Sequence, residues 1–397
     1  MFFRCLVFFA GLALVAQQAN SATVLVLQFH NSSQYSDLNW VGESVSETLR
    51  GEFSNANQIV FDRDSLQEAM RRLSLRPGAD FTKATLIRLG QVLGADYVCY
   101  GSYEATLAPG DTQLKDSSIR LVAHYLDLRK LHEGPDLSEA GKLADLSRLE
   151  EHLAWQSLKY LDPASNLSVE EFLSPKKFTR LDAEESYIRG LLSSNKEQQQ
   201  KWFLQAVALE PQFTSPAFEL GKLSLQRKDY RQALQWLGRV PATDSRYADA
   251  RFKMGLSAYG LSDYNASAGY FRDVLKQFPM NEVYNNLGAA ESQLNMPAAA
   301  DDFKHALDGD PNDPVYLFNL GSALLRANSF DEAAKRLQAV LDRDADDHEA
   351  QALLDRARNH QTADPGNKPL APPRLKNNFD ETAFRQLKAM LQPKRSG

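Results

Sequence analysis

The chain has 397 residues, 43% of them apolar and 24% charged, with a formal net charge of −6. That length and apolar content suffice for two or three domains with real cores. The acidic balance argues against a nucleic-acid partner or an anionic membrane surface.

The first residues, Met1 to Arg4, precede an apolar run from Cys5 to Ala16 and then the small residues Ala19, Ser21 and Ala22. One positive charge, a twelve-residue hydrophobic stretch and small residues at the end are the pattern of a secretory signal peptide over 1–22. The run is too short to cross a bilayer, so no transmembrane span is expected after cleavage. The expected location is exported: periplasmic or secreted, with envelope association as a variant of it. Loss of 1–22 removes Arg4, taking −6 to −7, and removes Cys5, leaving Cys99 alone with no intrachain disulfide to form. Cys99 lies in Asp96-Tyr-Val-Cys-Tyr-Gly-Ser102, which alternates like a buried strand, so it reads as a core thiol and not a nucleophile.

Residues 23–161 predict a compact α/β layer domain. Thr23 to Phe29 is a near-continuous apolar strand of the kind buried on both faces. Leu38 to Phe53 predicts an amphipathic helix with Val41, Val45, Leu49 and Phe53 on one stripe. A short strand over Gln58–Phe61 and helices over Ser65–Leu73 and Thr82–Leu93 follow, the last stopped by Gly94. Strands over Asp96–Thr106 and Ile119–Leu128, joined by a polar Pro-Gly-Asp loop, read as a hairpin, and Leu143–Leu161 as a closing helix.

Two segments here are similar to a known group. Val24 to Phe29 with Asn31, then Trp40-Val-Gly-Glu-Ser-Val-Ser-Glu-Thr-Leu49, resembles the opening strand and helix of TolB amino-terminal-like and FlgO/CsgG-like exported domains. Leu89-Gly-Gln-Val-Leu-Gly-Ala-Asp-Tyr-Val-Cys-Tyr-Gly-Ser102 resembles their turn and strand, and is the more specific match. Gln28 stands where that group usually has proline. The resemblance, over roughly residues 23–130, implies an exported domain linked to envelope assembly or accessory binding, with no shared catalytic residues.

Residues 162–182, holding Pro163 and Pro175, read as a linker or as the edge of the array. From Gly190 to Asp347, within a repeat region of 183–360, the chain repeats at about 34 residues. Leu220-Gly221, Met254-Gly255, Leu287-Gly288 and Leu320-Gly321 recur at one phase. Glycine costs about 1 kcal/mol against alanine inside a helix, so its return requires a packing reason. Close approach of two antiparallel helices supplies it. The pairs Ala233/Leu237, Ser267/Phe271, Ala299/Phe303 and Ala333/Leu337 fall on the second helix of each unit, and Pro211, Pro279 and Pro311 close units. This grammar resembles the tetratricopeptide repeat. About five units are expected, a short first one beginning near Ala183 and fuller ones over 214–247, 248–280, 281–313 and 314–347, with 348–360 as a capping helix. The fold class is therefore α+β with two domains, an α/β layer domain followed by an all-α solenoid.

No catalytic constellation accompanies these elements. The seven histidines show no i,i+4 pair, and phosphate-loop, nucleophile-elbow and His-Glu-x-x-His patterns are missing. Asp308-Gly-Asp-Pro-Asn-Asp313 begins like a calcium loop but lacks the turn glycine, and Asn319 stands where a bidentate carboxylate is needed. Asp342 to Asp347 fails likewise, and both stretches read as turns between helices. No cofactor, no metal and no enzymatic activity are expected.

The expected binding surface is the inner helix face. At positions 5, 9 and 12 of successive units stand Phe218, Lys222 and Leu225; Phe252, Leu256 and Tyr259; Asn285, Ala289 and Ser292; Phe318, Ser322 and Leu325. By resemblance to tetratricopeptide arrays this face lines a groove, aromatic and apolar at both ends with a polar middle, for an extended or helical peptide. Asn286 and Asn319, at position 6, can hydrogen-bond a ligand backbone. Ala289 and Ser322 replace the asparagines of a carboxylate clamp, which argues against one. Residues 361–378, rich in Pro, Gly and Asn, read as a flexible linker. Beyond it, 379–391 reads as an amphipathic helix with Ala383, Phe384, Leu387, Met390 and Leu391 on one face, open to docking in its own groove, docking on a partner, or disorder until bound.

The reading that follows is a non-enzymatic exported adaptor gripping a protein or peptide partner through the concave repeat surface. The alternative is a small-molecule sensor or envelope-assembly subunit whose repeats mediate homo-oligomerisation.

Overall fold

The computed structural model describes residues 22–76, 79–107, 113–361 and 371–391. The signal-peptide expectation falls, apart from Ala22, outside the described residues, as does the Pro-Gly-Asp loop of the hairpin.

The amino-terminal domain is a seven-stranded sheet between helical layers. Strand β1 (Thr23–Val26) pairs in parallel with β3 (Ile59–Val60) on one side and β4 (Tyr97–Thr106) on the other. The two-residue β2 (His30–Asn31) extends the parallel pairing along β4. Strand β5 (Ser118–Asp127) is antiparallel to β4 along its full length, and both β6 (His132–Glu133) and β7 (Leu137–Lys142) pair with β5. Successive residues of β1 point to opposite faces. Val24 and Val26 enter the core made with α1 (Val41–Asn55). Leu25 enters the core made with α2 (Arg63–Arg72) and α3 (Lys83–Leu93), as does Leu27 just beyond the strand. That is why the first strand is apolar without alternation. The stripe Val41, Val45, Leu49 and Phe53 is fully buried. Asp62 and Thr82 cap α2 and α3, and Gly94 ends α3 with φ +72°, the left-handed conformation glycine adopts without strain. Strand β7 has no counterpart in the sequence expectation. Its residues Leu-Ser-Glu-Ala-Gly-Lys alternate half-buried and exposed at the sheet edge, so no apolar signal marks them.

The closing helix α4 (Leu146–Leu161) follows a single 3-10 turn at Leu143–Asp145. Residues 162–182 are more than a linker. They contain α5 (Val169–Leu173) behind a Ser168/Glu171 capping box, bury Phe172 in the sheet core, and pass under the Trp155 indole, which donates to Leu167 O at 3.0 Å.

Five helix pairs then stack: α6 (Leu181–Leu192) with α7 (Lys196–Leu209), α8 (Thr214–Gln226) with α9 (Tyr230–Leu237), and α10 (Tyr247–Gly260) with α11 (Tyr264–Leu275). After them come α12 (Asn281–Gln293) with α13 (Ala299–Gly309), and α14 (Pro314–Arg326) with α15 (Phe330–Leu341). Helix α16 (His348–Arg358) covers the last pair. The repeating glycines sit where the two helices of a pair meet. A methyl at Gly221 would stand 2.5 Å from Leu237, at Gly255 2.6 Å from Phe271, at Gly288 2.9 Å from Phe303 and at Gly321 2.8 Å from Leu337. The turns within the last four pairs also share a device. Lys228, Ser262, Asn295 and Asn328 each take φ near +60°. The amide after each bonds back to the last helical turn, as Asp263 N does to Ala258 O at 2.9 Å, forming a Schellman closure without glycine.

The α/β domain and the array are not separate bodies. Tyr187, Ile188, Phe203, Leu220 and Leu223 of the first two pairs belong to the same apolar core as Val45 and Leu49. Ser44 Oγ donates to Glu184 at 2.8 Å across that junction, which is buried.

Helix α17 (Glu381–Leu391) follows a non-helical stretch, 371–380, that bends at 371 and at 377–378. One expectation is corrected here. The described part of the supposed flexible linker, 371–378, lies packed against the repeats, because its backbone and cationic side chains find partners there. The apolar face of α17 is half used: Phe384 is buried and Leu387 packs beside it, but Met390 is 80% and Leu391 51% exposed.

Candidate functional site

The first helices of the last three pairs hold the chain's own tail. Three asparagines on first helices take its main chain. Asn286 Oδ1 accepts the amide of Lys376 and Asn286 Nδ2 donates to the Lys376 carbonyl, both at 2.8 Å. One repeat further, Asn319 Oδ1 accepts the Arg374 amide at 2.8 Å and Nδ2 donates to its carbonyl at 2.7 Å. Asn285 adds a bond to the same carbonyl at 3.0 Å and accepts from Asn319 at 2.8 Å. All three are buried, and the network satisfies the amides, which are costly to leave unpaired. Residues 374 and 376 alternate as in a strand, so both present main chain to the same wall.

Acids at the mouth of the groove take the tail's cations. The Arg374 guanidinium forks onto Asp347 at 2.6 and 2.8 Å, reaches Glu349 at 2.9 Å, and lies 3.5 Å over the ring of Phe318. The Arg374 hydrogen bonds hold the Asp347 carboxyl below the usual range. Lys376 Nζ meets Asp313 at 2.5 Å and stands 4.9 Å from the Tyr316 ring. Asp313 and Asp347 also cap α14 and α16, accepting Val315 N at 2.9 Å and Ala350 N at 3.0 Å. They occupy one position of consecutive repeats, 34 residues apart (347 − 313). The calcium-loop resemblance of these acids comes to helix capping plus cation binding. Among the described residues no cluster of three or more His, Cys, Asp or Glu is arranged to hold a metal ion.

Aromatic packing anchors the rest. Phe379 sits edge-on to Phe252 at 5.1 Å and beside Phe384 at 4.7 Å, and Phe384 meets Phe278 at 4.9 Å. Leu256 is part of this cluster, with Tyr259, Leu225 and Leu375 packed against it. Glu282 accepts the Asp380 amide at 3.0 Å where α17 begins. The helix then reaches the α/β domain, where Arg385 pairs with Asp62 and Lys388 donates to Ser54 at 3.0 Å.

Not every expected groove residue is brought to this site. Phe252, Asn285, Asn286, Phe318 and Asn319 touch the tail, and Leu256, Tyr259 and Leu225 border it. Leu325 is fully buried in the cluster of the last repeats, on which Ala371 and Leu375 pack. Phe218 belongs to another cluster, with Ala233, Leu237 and Met254, that contains no tail residue among the described residues. Its ring lies between the cations of Lys222 and Arg246, at 5.5 and 5.4 Å. Lys222 pairs with Glu219 at 3.1 Å. Burial pulls the Lys222 ammonium down, but the carboxylates of Glu219, Asp249 and Asp64 outweigh it and leave it raised. Asp64 belongs to α2, so this end of the concave face looks toward the α/β domain.

Sequence reasoning missed Arg374, Lys376, Asp313, Asp347 and Glu349. The available signal was the 34-residue recurrence of capping aspartates opposite two cations in a proline-bounded stretch.

The helical array carries tetratricopeptide repeats. Two descriptions of the tetratricopeptide repeat match, one over residues 252–314 and one over 292–357. Among solved structures the chain is similar to YrrB, described as a TPR protein with an unusual peptide-binding site, at 16% identity and a TM-score of 0.39. That match covers 45% of this chain and 92% of YrrB. It is similar to PilF of Pseudomonas aeruginosa at 18% identity and a TM-score of 0.39, over 45% of this chain and 83% of that one. It is also similar to the LpoB carboxyl-terminal domain of Salmonella enterica at 19% identity and a TM-score of 0.25, over 31% and 83%. No curated protein matches the sequence. Among the described residues no helix is long and apolar enough to cross a membrane.

Proposed function

We propose that this chain is a non-enzymatic, exported adaptor whose concave repeat surface grips an extended segment of another protein, with its own tail as the resident occupant. Tetratricopeptide-repeat proteins are typically protein-interaction scaffolds, which is the frame for the reading. The observation that carries it is the reciprocal pairing of Asn286 with Lys376 and of Asn319 with Arg374. Side chains that read an amide and its carbonyl recognise a polypeptide backbone whatever its sequence, which is the chemistry a peptide groove needs. Export is supported by the composition of residues 1–22, and the TolB amino-terminal-like or FlgO/CsgG-like character of the α/β domain by the Leu89–Ser102 segment.

The test of the groove uses the full chain with the tail disabled by Arg374→Ala and Phe379→Ala, screened against immobilised random peptides. Adding Asn286→Ala and Asn319→Ala is expected to cut retained peptide at least tenfold. Equal retention by both chains would remove the groove from the function. Fusing residues 1–22 to a reporter active only outside the cytoplasm tests export, and a silent reporter would end that part.

A further inference from the structure

We infer that the groove selects partner segments of the form basic–x–basic–x–x–aromatic, which displace residues 374–379 of the tail by presenting the same groups. This rests on the adaptor reading above and adds the partner's chemistry to it.

The asparagines fix where a backbone lies and in what register, but not which side chains it bears. Selection falls to what surrounds them. At the first basic position the guanidinium meets two carboxylates, Asp347 and Glu349, and a fully buried aromatic face, Phe318. A planar cation satisfies all three at once, so arginine suits this site better than lysine. Two residues on, a single carboxylate, Asp313, and the Tyr316 ring take an ammonium. Three residues further, the ring of Phe379 packs edge-on against Phe252, in the apolar cluster that also holds Leu256. Asp313 and Asp347 are the N-caps of α14 and α16, so their spacing is set by the repeat and persists without the tail. An acidic or neutral segment would leave Asp313, Asp347 and Glu349 without the counter-charges that Lys376 and Arg374 supply, which works against it.

The tail competes through proximity. It is attached to the array and starts at a high effective concentration, so a partner must match its contacts or exceed them. The partner's chemistry is thus printed in the segment it replaces.

The experiment measures binding of a fluorescent synthetic peptide, Ala-Pro-Pro-Arg-Leu-Lys-Asn-Asn-Phe-Asp-Glu-Thr-Ala-Phe, to the full chain by polarisation. Two chains are compared, wild type and the tail-disabled Arg374→Ala/Lys376→Ala/Phe379→Ala. The tail-disabled chain is expected to bind at least tenfold tighter. Replacing the peptide's arginine or lysine by glutamate is expected to cost tenfold or more. Asp347→Asn in the tail-disabled chain is expected to weaken the parent peptide and leave the arginine-lacking peptide unaffected. Asparagine caps a helix about as well as aspartate, so that variant keeps its fold; thermal melts check it. Binding that ignores the peptide's charges would overturn the inference while leaving the adaptor reading standing. A folded tail-disabled chain that retains no peptide, in this assay or in the random-peptide screen, would overturn both.

Discussion

Asn286 and Lys376 exchange two hydrogen bonds, the asparagine amide accepting from the main-chain N–H and donating to the main-chain carbonyl, each at 2.8 Å. This is the pairing one strand residue offers another, made here by a side chain on a helix. It explains how a surface built wholly of helices can hold an extended segment, and why the two tail residues that are so held are two apart.

Asn286→Ala should therefore loosen the tail without unfolding the array. Two hydrogen bonds at about 0.5–1.5 kcal/mol each give a loss of roughly 2 kcal/mol in docking, or about thirtyfold in the opening equilibrium. Hydrogen exchange at the Lys376 amide is expected to accelerate by about that factor, while amides in β4 keep their protection. Unchanged exchange at Lys376 would show that the asparagine does not hold the tail.

Two glycines in adjacent helices of one repeat should respond in opposite directions to the same substitution. At Gly255 a methyl would stand 2.6 Å from the Phe271 ring, itself fully buried. Overpacking of this kind costs about 1–3 kcal/mol and outweighs alanine's helical advantage. At Gly269, in α11, nothing lies within 4 Å of the added methyl and the site is exposed, so Gly269→Ala should stabilise by about 0.5–1 kcal/mol. Denaturant unfolding of the two variants decides it; stabilisation by Gly255→Ala would refute the close-approach account of the repeat.

Cys99 should be silent to thiol reagents in the folded chain. It is fully buried in the sheet core, and burial pushes its thiol up to about 12. Ellman's reagent is expected to report no described thiol in native protein and Cys99 on unfolding; rapid native labelling of Cys99 would contradict its placement.

What the sequence made legible was whatever is periodic. Helix existence, the glycine phase, the stripe on α1 and the doubly buried first strand follow from apolar spacing alone. The asparagines at position 6 were legible because a helix face fixes their direction. Strand β7 was not, because an edge strand carries no apolar alternation. The tail was not, because Arg374 and Lys376 are polar residues among prolines, and only their spatial partners distinguish a docked segment from a loose one. Phe218 was placed in the groove by phase, but the α/β domain changes the surroundings at that end, and no spacing within the repeats encodes that.

The junction between the α/β domain and the first repeat should make stability fall as pH rises. Glu150 of α4 and Glu184 of α6 are both buried there. Thr48 donates to one oxygen of Glu150 and Ser44 to one of Glu184, each at 2.8 Å. The other two, Glu150 Oε1 and Glu184 Oε2, have no further hydrogen-bond partner among the described residues. Burial raises both carboxyls, and for Glu150 the neighbouring Glu184 charge raises it further. Close by, Glu151 is pushed up to about 7 by burial and by Glu52, against the pull of Lys176. A carboxyl raised in the folded state binds more protons there than in the unfolded chain, whose value is about 4.3. Its stabilising contribution is complete below that value and is lost as pH climbs through the folded one. Each such proton gives a slope of about −1.4 kcal/mol per pH unit within the window. Urea unfolding at intervals from pH 5 to 8 should show declining stability for the wild type. Glu150→Gln supplies a neutral donor toward Glu184 and should flatten the decline by about one proton. Its remaining slope belongs to Glu184, still raised by burial, to Glu151, and to Asp302, which burial and the neighbouring Glu291 push up to about 7. Parallel profiles for the two proteins would mean that the carboxyl pair shares no proton.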